Sequence, residues 1–419
     1  MNRSRLEPLG VPESDYGFDE AEAARREPSA LDRWLAKQIT KRLGESPVKV
    51  ALWDEPDAAP RDGIVRMRIL DRKALWQIIV NPDLHFGDLY SSGRLEVRGE
   101  LLTLLREAYR YTAKHTAIGQ LVARGRKLAP DLSDSKRNIH HHYDIGNQFY
   151  ELWLDREALQ YTCAYFADAA MTIEQAQQAK MHHVCRKLEL KAGERVVEAG
   201  GGWGGFALFM AKNYGARVRS FNISEEQIAY SRAWAKRLGL DSQVEFIEDD
   251  YRNLTGTYDA FVSIGMLEHV GKGNYKDLGA LMARALTPTG RGLVHSIGRD
   301  TPALMNAWID KRIFPGAYPP TLREMMDLFE PNGLSVLDVE NIRLHYAKTL
   351  EWWLQRYEEN VDAVRDMFDE TFVRAWRLYL TGSIAAFLNG TLQLFQVLYA
   401  RHGAKNVPWT RAHVYRDHP

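Results

Sequence analysis

Five glycines occupy the six positions from Gly200 to Gly205, directly after the apolar pair Val196-Val197 and the acid Glu198. An apolar run that ends in such a cluster is typical of a buried strand that leads into a tight turn. Glycine tolerates left-handed backbone conformations and puts no side chain between the backbone and a ligand. The sequence therefore predicts a turn that binds an adenosine-containing cofactor.

Two cofactors are compatible with a glycine-rich turn of this kind. The glycines satisfy the G-x-G-x-x-G pattern, and for NAD this pattern needs an acid roughly 20 residues further on to hold the ribose. The next predicted strand ends instead in Asn222-Ile223-Ser224, with no carboxylate at its tip. Glu198 precedes the glycines, where it can contact the methionine end of S-adenosylmethionine. Asp250-Tyr251 follows the third strand, where it can contact the edge of the adenine. This arrangement favours S-adenosylmethionine over NAD.

Helical and strand patterns alternate from about residue 172 onward. Thr172 and Gln175 form a capping box before a helix that runs to about Leu190. Such alternation is typical of an α/β protein with a parallel sheet covered on both faces. Residues 30–110 combine one helical and one strand pattern and predict a small α+β domain. The predicted strands of the larger sheet are Arg195–Glu198, Arg217–Asn222, Val244–Glu248, Ala260–Ile264 and Gly292–Ser296.

Charge and composition exclude several classes of protein. Lysine plus arginine equals aspartate plus glutamate at 55 each, so the whole molecule has no field that attracts nucleic acid. Two cysteines are too few for a disulfide framework and suit a reducing cytoplasm. The charged stretch Met1–Pro28 lacks the apolar core of a secretory signal. The uncharged run Leu378–Ala400 is too polar for a membrane span and predicts a buried helix.

A basic helical pattern covers Leu101 to Arg137. Two interpretations remain open from the residues alone. One is a solvated linker face, and the other is an amphipathic segment that rests on anionic lipid headgroups.

Short motifs in a fixed order carry a resemblance that extends over nearly the whole chain from about Phe86. The chain resembles the cyclopropane fatty acyl phospholipid synthase (mycolic acid cyclopropane synthase-like) family of S-adenosylmethionine-dependent methyltransferases. The resemblance implies a class I methyltransferase fold, a doubly wound α/β sheet with helical additions behind the small α+β domain. The motifs lie at residues 142–147, 161–166, 202–205, 223–227, 250–252, 264–271, 295–298, 313–316 and 345–346.

This sequence departs from the family pattern at two positions, and the resemblance implies a set of residues that contact the cofactor. The family usually has Asp where Glu198 stands and Cys where Gly201 stands; charge and small size are kept. The residues expected to contact S-adenosylmethionine are Tyr161, Thr162, Glu198, Gly200, Gly201, Gly202, Asn222, Ile223, Gln227, Asp250 and Tyr251.

The resemblance also implies a bound bicarbonate ion, which removes a proton from the newly added methyl group so that a cyclopropane ring can close. Histidine and tyrosine can donate to such an ion, and Glu268 can accept its proton. A cysteine of many relatives is replaced here by Ser383, which argues against a covalent cysteine route. No metal is expected, because neither His140-His141-His142 nor His182-His183 has further ligands at zinc spacing. The expected catalytic residues are Cys163, Glu268, His295, Ile297 through its backbone, and Tyr346.

The function expected from the resemblance is transfer of a methylene group from S-adenosylmethionine to a cis double bond of an unsaturated phospholipid acyl chain. Alternatives are a methylene- or methyl-branched product, another lipid or a soluble acyl carrier as substrate, a non-catalytic lipid-binding protein, and an NAD oxidoreductase. The expected protein is a cytoplasmic homodimer on the inner face of the cell membrane that binds no nucleic acid. Its expected domains are a mobile leader (1–28), a small lipid-associating domain (29–112), a basic linker (113–137), and a catalytic domain with a C-terminal helical cap (138–419).

Overall fold

The computed structural model describes residue 9 and residues 27–60, 63–113 and 145–415. The predicted leader and basic linker therefore lie largely outside the described residues, as do the histidines at 140–142. The helices are α1 (Ala30–Leu43), α2 (Arg72–Val80), α3 (Pro82–Ser91), α4 (Leu101–Ala113), α5 (Asn147–Glu151), α6 (Ile173–Lys187), α7 (Gly205–Tyr214), α8 (Glu225–Leu238), α9 (Leu267–Val270), α10 (Tyr275–Ala285), α11 (Ala307–Arg312), α12 (Leu322–Met325), α13 (Arg343–Glu359), α14 (Val361–Met367) and α15 (Glu370–Leu388). The strands are β1 (Val48–Ala51), β2 (Val65–Ile69), β3 (Leu95–Arg98), β4 (Arg195–Ala199), β5 (Arg217–Asn222), β6 (Val244–Glu248), β7 (Tyr258–Ile264), β8 (Leu286–Gly298), β9 (Leu334–Asn341) and β10 (Gln393–Arg401).

The chain forms two compact units whose boundaries differ from the expected domains. The first unit comprises Met1–Val122, Ala303–Pro315 and Leu350–Thr391. The second comprises Ala123–Pro302, Gly316–Thr349 and Leu392–Pro419. Two segments that the sequence interpretation placed in the catalytic domain thus belong to the same unit as the N-terminal residues.

The first unit contains the small α+β fold that the sequence predicts. Its sheet has the order β1-β2-β3, with β1 parallel to β2 and β2 antiparallel to β3. Helix α1 begins at a capping box in which Ser29 accepts from the backbone N–H of Asp32 and Asp32 accepts from that of Ser29. Such reciprocal bonds satisfy backbone donors that a helix start otherwise leaves unpaired.

Later parts of the chain pack into this first unit through buried polar contacts. Arg312 on α11 makes a bidentate ion pair with Asp88 on α3, at 3.0 Å for both bonds, and both side chains are buried. The guanidinium of Arg374 on α15 lies 4.5 Å from the ring centre of Tyr90. Gly87 lets the Trp308 ring approach closely, because a Cβ there would lie 2.4 Å from the ring. These contacts explain why residues 303–315 and 350–391 share a unit with the N-terminal domain.

The second unit is built on a seven-stranded sheet of order β6-β5-β4-β7-β8-β10-β9. The strands from β6 to β8 are parallel, and β10 is antiparallel to both β8 and β9. Helices α6, α7 and α8 alternate with the parallel strands, as a doubly wound sheet requires. The five predicted strands are all present, so the predicted α/β fold class is confirmed.

The prediction for Leu378–Ala400 was wrong in part. The run divides into the end of α15 and the strand β10, separated by Gly390 at a φ of 77°. Eight consecutive residues of β10 are buried because the strand has neighbours on both edges and packing on both faces. A continuous apolar run of this kind fits either a buried helix or a buried central strand by pattern alone. The expected helical cap therefore ends in a strand of the sheet.

Alternating side chains of the parallel strands fill two cores, one on each face of the sheet. Val196 packs on one face with Val184 and Phe206. Its neighbour Val197 packs on the other face with Tyr275. This alternation follows from the two-residue period of a strand. Because both faces of the strands are covered, the loops at their carboxyl ends are the accessible place for a site.

Among the described residues, no helix has the length and apolar character needed to cross a membrane.

Candidate active site

The glycine run forms the predicted turn at the carboxyl end of β4. Gly200 and Gly202 have φ values of 88° and 53°, which glycine adopts without strain. The backbone N–H groups of Gly200 and Gly201 donate to the carbonyl of Phe221 on β5, at 2.9 and 3.2 Å. No atom lies within 4 Å of the position that a Cβ on Gly202 would take. The backbone at Gly202 is therefore open to a ligand.

Glu198 is buried at the end of β4 and is held by one side chain of the neighbouring strand. The hydroxyl of Ser220 donates to Glu198 Oε2 at 2.6 Å. Burial raises the pKa of Glu198 to about 7, and the hydrogen bond from Ser220 opposes that rise. A Cβ on Gly201 would lie 1.9 Å from Ser220 Oγ. Sequence reasoning missed Ser220, although a hydroxyl between Val218 and Phe221 in a buried strand was a signal.

The strand β5 brings two further predicted cofactor residues next to the turn. The Asn222 side-chain amide donates to the carbonyl of Gly202 at 3.0 Å and to Gln227 Oε1 at 2.8 Å. Ile223 follows Asn222 directly and leads into α8. The contacts link the end of β5, the start of α8 and the glycine turn into one surface.

Asp250 and Tyr251 follow β6, the next strand of the sheet. Asp250 is buried, and its Oδ1 accepts from the backbone N–H of Arg252 at 2.8 Å. Tyr251 begins a short 3₁₀ turn. The predicted cofactor residues of β4, β5 and β6 thus share the carboxyl edge of the sheet, as predicted for a ligand crevice.

Tyr161 and Thr162 lie on a segment that a buried lysine supports. Lys180 on α6 donates to Thr162 Oγ1 at 3.1 Å and also to Gln160 Oε1. Burial lowers the pKa of Lys180 to about 8, while nearby Asp155 raises it. The sequence interpretation missed Lys180. Its position on the core-facing side of a predicted helix was the available signal, because lysine is rarely buried without partners.

Glu268 lies on α9, just beyond the carboxyl end of β7. Its Oε1 accepts from the backbone N–H of Ile297 at 2.6 Å, so two of the expected catalytic positions are in direct contact. Burial raises the pKa of Glu268 to about 7, against the hydrogen bond from Ile297. Within the described part of the chain, Glu268 Oε2 is buried and has no hydrogen-bond partner.

His295 lies on β8, beside the strand that leads to Glu268. Its Nδ1 is 3.2 Å from the side-chain nitrogen of Gln396 on β10. Its Nε2 is buried and finds no partner among the described residues. Burial lowers the pKa of His295 to about 3, so the ring is neutral at neutral pH. Gln396 was missed because the sequence interpretation put it in a helix.

Cys163 and Tyr346 are both largely buried, and neighbouring residues connect their segments. Cys163 donates to the carbonyl of Ala164 at 3.1 Å, and burial raises the pKa of its thiol above the usual range. The backbone N–H of Ala164 donates to Thr349 Oγ1 at 3.0 Å, and that of Phe166 donates to His345 Nδ1 at 2.9 Å. Helix α13, which carries Tyr346, is thus bonded to the segment that carries Cys163.

The histidine pair on α6 has other partners. His182 Nδ1 is 3.0 Å from the hydroxyl of Tyr214, and His183 Nε2 is 2.7 Å from Glu340 Oε2. In residues 27–60, 63–113 and 145–415 no group of three or more His, Cys, Asp or Glu side chains could hold a metal ion.

Comparison with known proteins identifies the family. The family model for mycolic acid cyclopropane synthetase matches residues 131–397. The chain belongs to the mycolic acid cyclopropane synthetase family.

Two similar proteins align with large parts of this chain. A probable fatty acid methyltransferase of Pseudomonas putida is 34% identical over 383 residues, which cover 88% of this chain and 96% of the relative. A cyclopropane-fatty-acyl-phospholipid synthase of Escherichia coli K12 is 40% identical over 266 residues, 63% of this chain and 68% of the relative. This protein is accordingly an S-adenosylmethionine-dependent methyltransferase that modifies lipid acyl chains.

A solved member of the family supports the cofactor. Mycolic acid cyclopropane synthase CmaA1, complexed with SAH and CTAB, has a TM-score of 0.60 and 26% identity, and the alignment covers 65% of this chain and 99% of that one. The class I methyltransferase fold is thereby confirmed. The choice of S-adenosylmethionine over NAD for the glycine turn is supported as well, since SAH is the form that S-adenosylmethionine takes after methyl transfer.

Proposed function

We propose that this family member transfers a methylene group from S-adenosylmethionine to a cis double bond of an unsaturated phospholipid acyl chain and forms a cyclopropane ring. One observation carries the choice of ring closure. Glu268 Oε2 and His295 Nε2 are both buried and, among the described residues, both lack hydrogen-bond partners. Buried polar atoms are normally paired, so such orphans are expected where a ligand binds.

The two orphan atoms belong to the same corner of the sheet. Ile264 on β7 lies opposite His295 in register, and the N–H of Gly265 donates to the carbonyl of His295 at 2.9 Å. Glu268 follows three residues later and is bonded to Ile297, two residues beyond His295. A carboxylate that accepts and an imidazole that donates suit a small oxyanion that has one hydroxyl.

Bicarbonate is such an ion, and when bound it would supply the base for a proton of the added methyl group. Glu268, His295 and the N–H of Ile297 would hold it, together with Cys163 and Tyr346 at the positions that the family implies. His295 is a weak base, since its pKa lies near 3. Cys163 stays a neutral thiol, since burial raises its pKa. Neither side chain is therefore suited to take the proton or to act as a nucleophile at neutral pH.

The cofactor would bind along the carboxyl ends of β4, β5 and β6. The open backbone at Gly202 suits close approach of the ligand, and Asn222 and Gln227 are already aligned beside it. Glu198 lies buried below the turn, where a carboxylate suits the ammonium of the methionine part. Tyr161, Thr162, Ile223, Asp250 and Tyr251 complete the proposed contact set.

A product test decides between ring closure and the alternative fate of the same cation. The purified protein is incubated with S-adenosylmethionine and vesicles of an unsaturated phospholipid, and the fatty acids are analysed by mass spectrometry and proton NMR. A gain of one CH₂ with cyclopropyl protons supports the proposal. A methyl branch or an exocyclic alkene supports the second candidate, which the name of the Pseudomonas putida relative favours. No transfer to any lipid would favour a non-catalytic lipid-binding role.

The Glu268→Gln variant tests the oxyanion site within the same assay. It removes an acceptor and preserves shape, so we expect turnover to fall by about 100-fold or more while S-adenosylmethionine binding, measured by calorimetry, stays within about twofold. Glu324→Gln serves as a control, since Glu324 is also largely buried but is bonded to Thr321 and Lys272 instead. Unchanged turnover in Glu268→Gln would contradict the proposed site.

The same protein is proposed to reach its substrate at the inner face of the cell membrane. Two helices of the first unit, α1 and α2, expose large apolar side chains. Basic residues lie on the same helices, Arg33 and Lys37 on α1 and Lys73 on α2. Apolar and basic groups together favour an anionic lipid surface. The exposed apolar residues of these two helices are Leu31, Trp34, Trp76 and Val80.

Vesicle co-sedimentation tests this membrane surface. We expect Trp34→Ala combined with Trp76→Ala to reduce binding to anionic vesicles several-fold, because two aromatic anchors are lost. Trp409→Ala is the matched control, since Trp409 is fully exposed but lies in the other unit. Equal losses in both variants would contradict the assignment. Light scattering of the purified protein without vesicles tests the expected homodimer.

A further inference from the structure

Three side chains form a row across the sheet behind the proposed oxyanion site. Gln396 on β10 lies opposite His295 on β8 and, on its other edge, opposite Glu340 on β9. Residues in register on neighbouring strands point to the same face of a sheet. Gln396 is fully buried in a strand whose other side chains here are apolar, namely Leu394, Phe395, Val397 and Leu398.

An amide in such a place needs a polar partner, and its partner is the ring of His295. The amide nitrogen of Gln396 lies 3.2 Å from His295 Nδ1. In this orientation of the amide, the nitrogen donates and Nδ1 accepts, while Gln396 Oε1 is buried and finds no partner among the described residues. The ring is neutral and holds a single proton, because burial keeps the pKa of His295 low. That proton is therefore on Nε2, the atom without a partner among the described residues.

We propose that Gln396 is a positioning residue that holds His295 in the tautomer with its proton on Nε2, so that the ring donates to an oxygen atom of the bound ligand. The inference rests on the proposed function for the identity of that ligand, which is the small oxyanion beside Glu268. Without Gln396 the neutral ring could carry its proton on either nitrogen. The other tautomer would present a lone pair to the anion instead of a donor, and the two would repel.

Glu340 is the next charge in the row, and it already has two partners, the Lys187 ammonium and the His183 ring, whose pKa is lowered by burial. Lys187 Nζ lies 2.6 Å and His183 Nε2 lies 2.7 Å from Glu340 Oε2. These partners hold the pKa of Glu340 at about 2 despite its partial burial. Gln396 therefore separates an ionised carboxylate from the His295 ring. The neutral amide of Gln396 places no negative charge beside the ring, whereas a carboxylate at this position would.

Two substitutions distinguish the role in orienting the proton from a role in packing. Gln396→Leu removes the donor and keeps an apolar shape of similar length. Gln396→Glu is nearly isosteric but accepts from Nδ1 instead of donating to it, so it favours a proton on Nδ1 or a doubly protonated ring. Gln393→Leu is the matched control on the same strand, since Gln393 is also buried but bonds to Asn341 and Asp300.

The tautomer is read directly by NMR. Protein with nitrogen-15 in its histidines is recorded in a two-bond proton–nitrogen correlation experiment, and the His295 signals are assigned by their loss in His295→Gln. We expect Nε2 protonated in the unmodified protein, a mixture of tautomers in Gln396→Leu, and Nδ1 protonated in Gln396→Glu. A proton on Nδ1 in the unmodified protein would overturn the inference, as would an unchanged pattern in Gln396→Glu.

Kinetics on the same variants give the functional readout. We expect kcat for methylene transfer to fall on the order of tenfold or more in Gln396→Leu and Gln396→Glu, with KM for S-adenosylmethionine and the melting temperature close to those of Gln393→Leu. A kcat that falls equally in all three variants would mean that Gln396 only packs. If the unmodified protein yields no lipid product yet shows the expected tautomers, the proposed function fails and the assignment of the tautomer stands.

Discussion

The hydroxyl of Ser220 occupies the space that a side chain on Gly201 would need. A Cβ on residue 201 would lie 1.9 Å from Ser220 Oγ, and the same hydroxyl is 2.6 Å from Glu198 Oε2. Glu198, Ser220 and Gly201 therefore depend on one another. The hydroxyl of Ser220 holds the Glu198 carboxylate, and the absence of a side chain at Gly201 leaves room for that hydroxyl. The departures from the family pattern at 198 and 201 are thus physically linked in this chain.

This relationship gives a first prediction. Gly201→Ala should lower the free energy of unfolding by roughly 1–3 kcal/mol and weaken S-adenosylmethionine binding, because the new methyl group overpacks a buried hydroxyl. Adding Ser220→Ala should recover part of that loss, since the overlapping oxygen is removed. Thermal unfolding of the two single variants and the double variant measures the coupling, expected to be at least about 0.5 kcal/mol. Strict additivity would show that the two positions are independent.

A second prediction concerns pH. Burial raises the pKa of Glu268 to about 7 from 4.5, so its ionisation opposes folding. The contribution to stability is complete below pH 4.5 and is lost as pH rises toward 7, by up to about 3 kcal/mol. Glu268→Gln should remove this loss, so the inactive variant should be the more stable protein at pH 8. The measurement is urea unfolding of the ligand-free protein at pH 5 and pH 8.

Glu340 provides the contrasting control for that experiment. Its pKa is lowered to about 2, since the hydrogen bond from His183 and the charge of Lys187 outweigh burial. Its contribution is present above pH 4.5 and is lost as pH falls toward 2. Glu340→Gln should therefore destabilise the protein at pH 8. The same sign for Glu268→Gln and Glu340→Gln would contradict the opposite environments of the two carboxylates.

A third prediction concerns the buried cation of α6. Lys180→Met should leave Asp155 and Glu198 without the positive charge that compensates their burial, and should remove the donor to Thr162. Removing one member of a buried charged group typically costs about 3–5 kcal/mol. We expect a lower melting temperature and weaker S-adenosylmethionine binding, both measurable by differential scanning fluorimetry with and without the cofactor. A variant with unchanged cofactor-induced stabilisation would show that Lys180 does not support the cofactor segment.

A fourth prediction concerns the first unit. Asp88→Leu or Arg312→Met alone should destabilise the protein by about 3–5 kcal/mol, because each leaves one buried charge without its partner. The double variant should be much closer to the unmodified protein, since both charges are gone. Chemical unfolding of the three variants tests this. A double variant as unstable as the sum of the singles would mean that the two side chains act independently.

Local patterns accounted for most of the second unit. Glycine spacing predicted the turn at Gly200, and strand periodicity predicted β5 and β6 with the bounds that the structure has. The residues that were missed are polar side chains inside apolar segments, whose partners are distant in sequence. Ser220, Lys180 and Gln396 are examples, and Gln396 lies 101 positions from His295. No local pattern encodes such a contact, because it exists only once the strand order is known.

Among the strands of the described residues, β10 comes last in the sequence but lies inside the sheet, between β8 and β9. Until β10 has been synthesised, the edges of β8 and β9 that pair with it have no backbone hydrogen-bond partners in the sheet. Exposed edges of this kind template wrong pairings in folding intermediates. The strand that closes the sheet is also the one that brings Gln396 to His295. We therefore expect the proposed oxyanion site to be complete only after the sheet has closed.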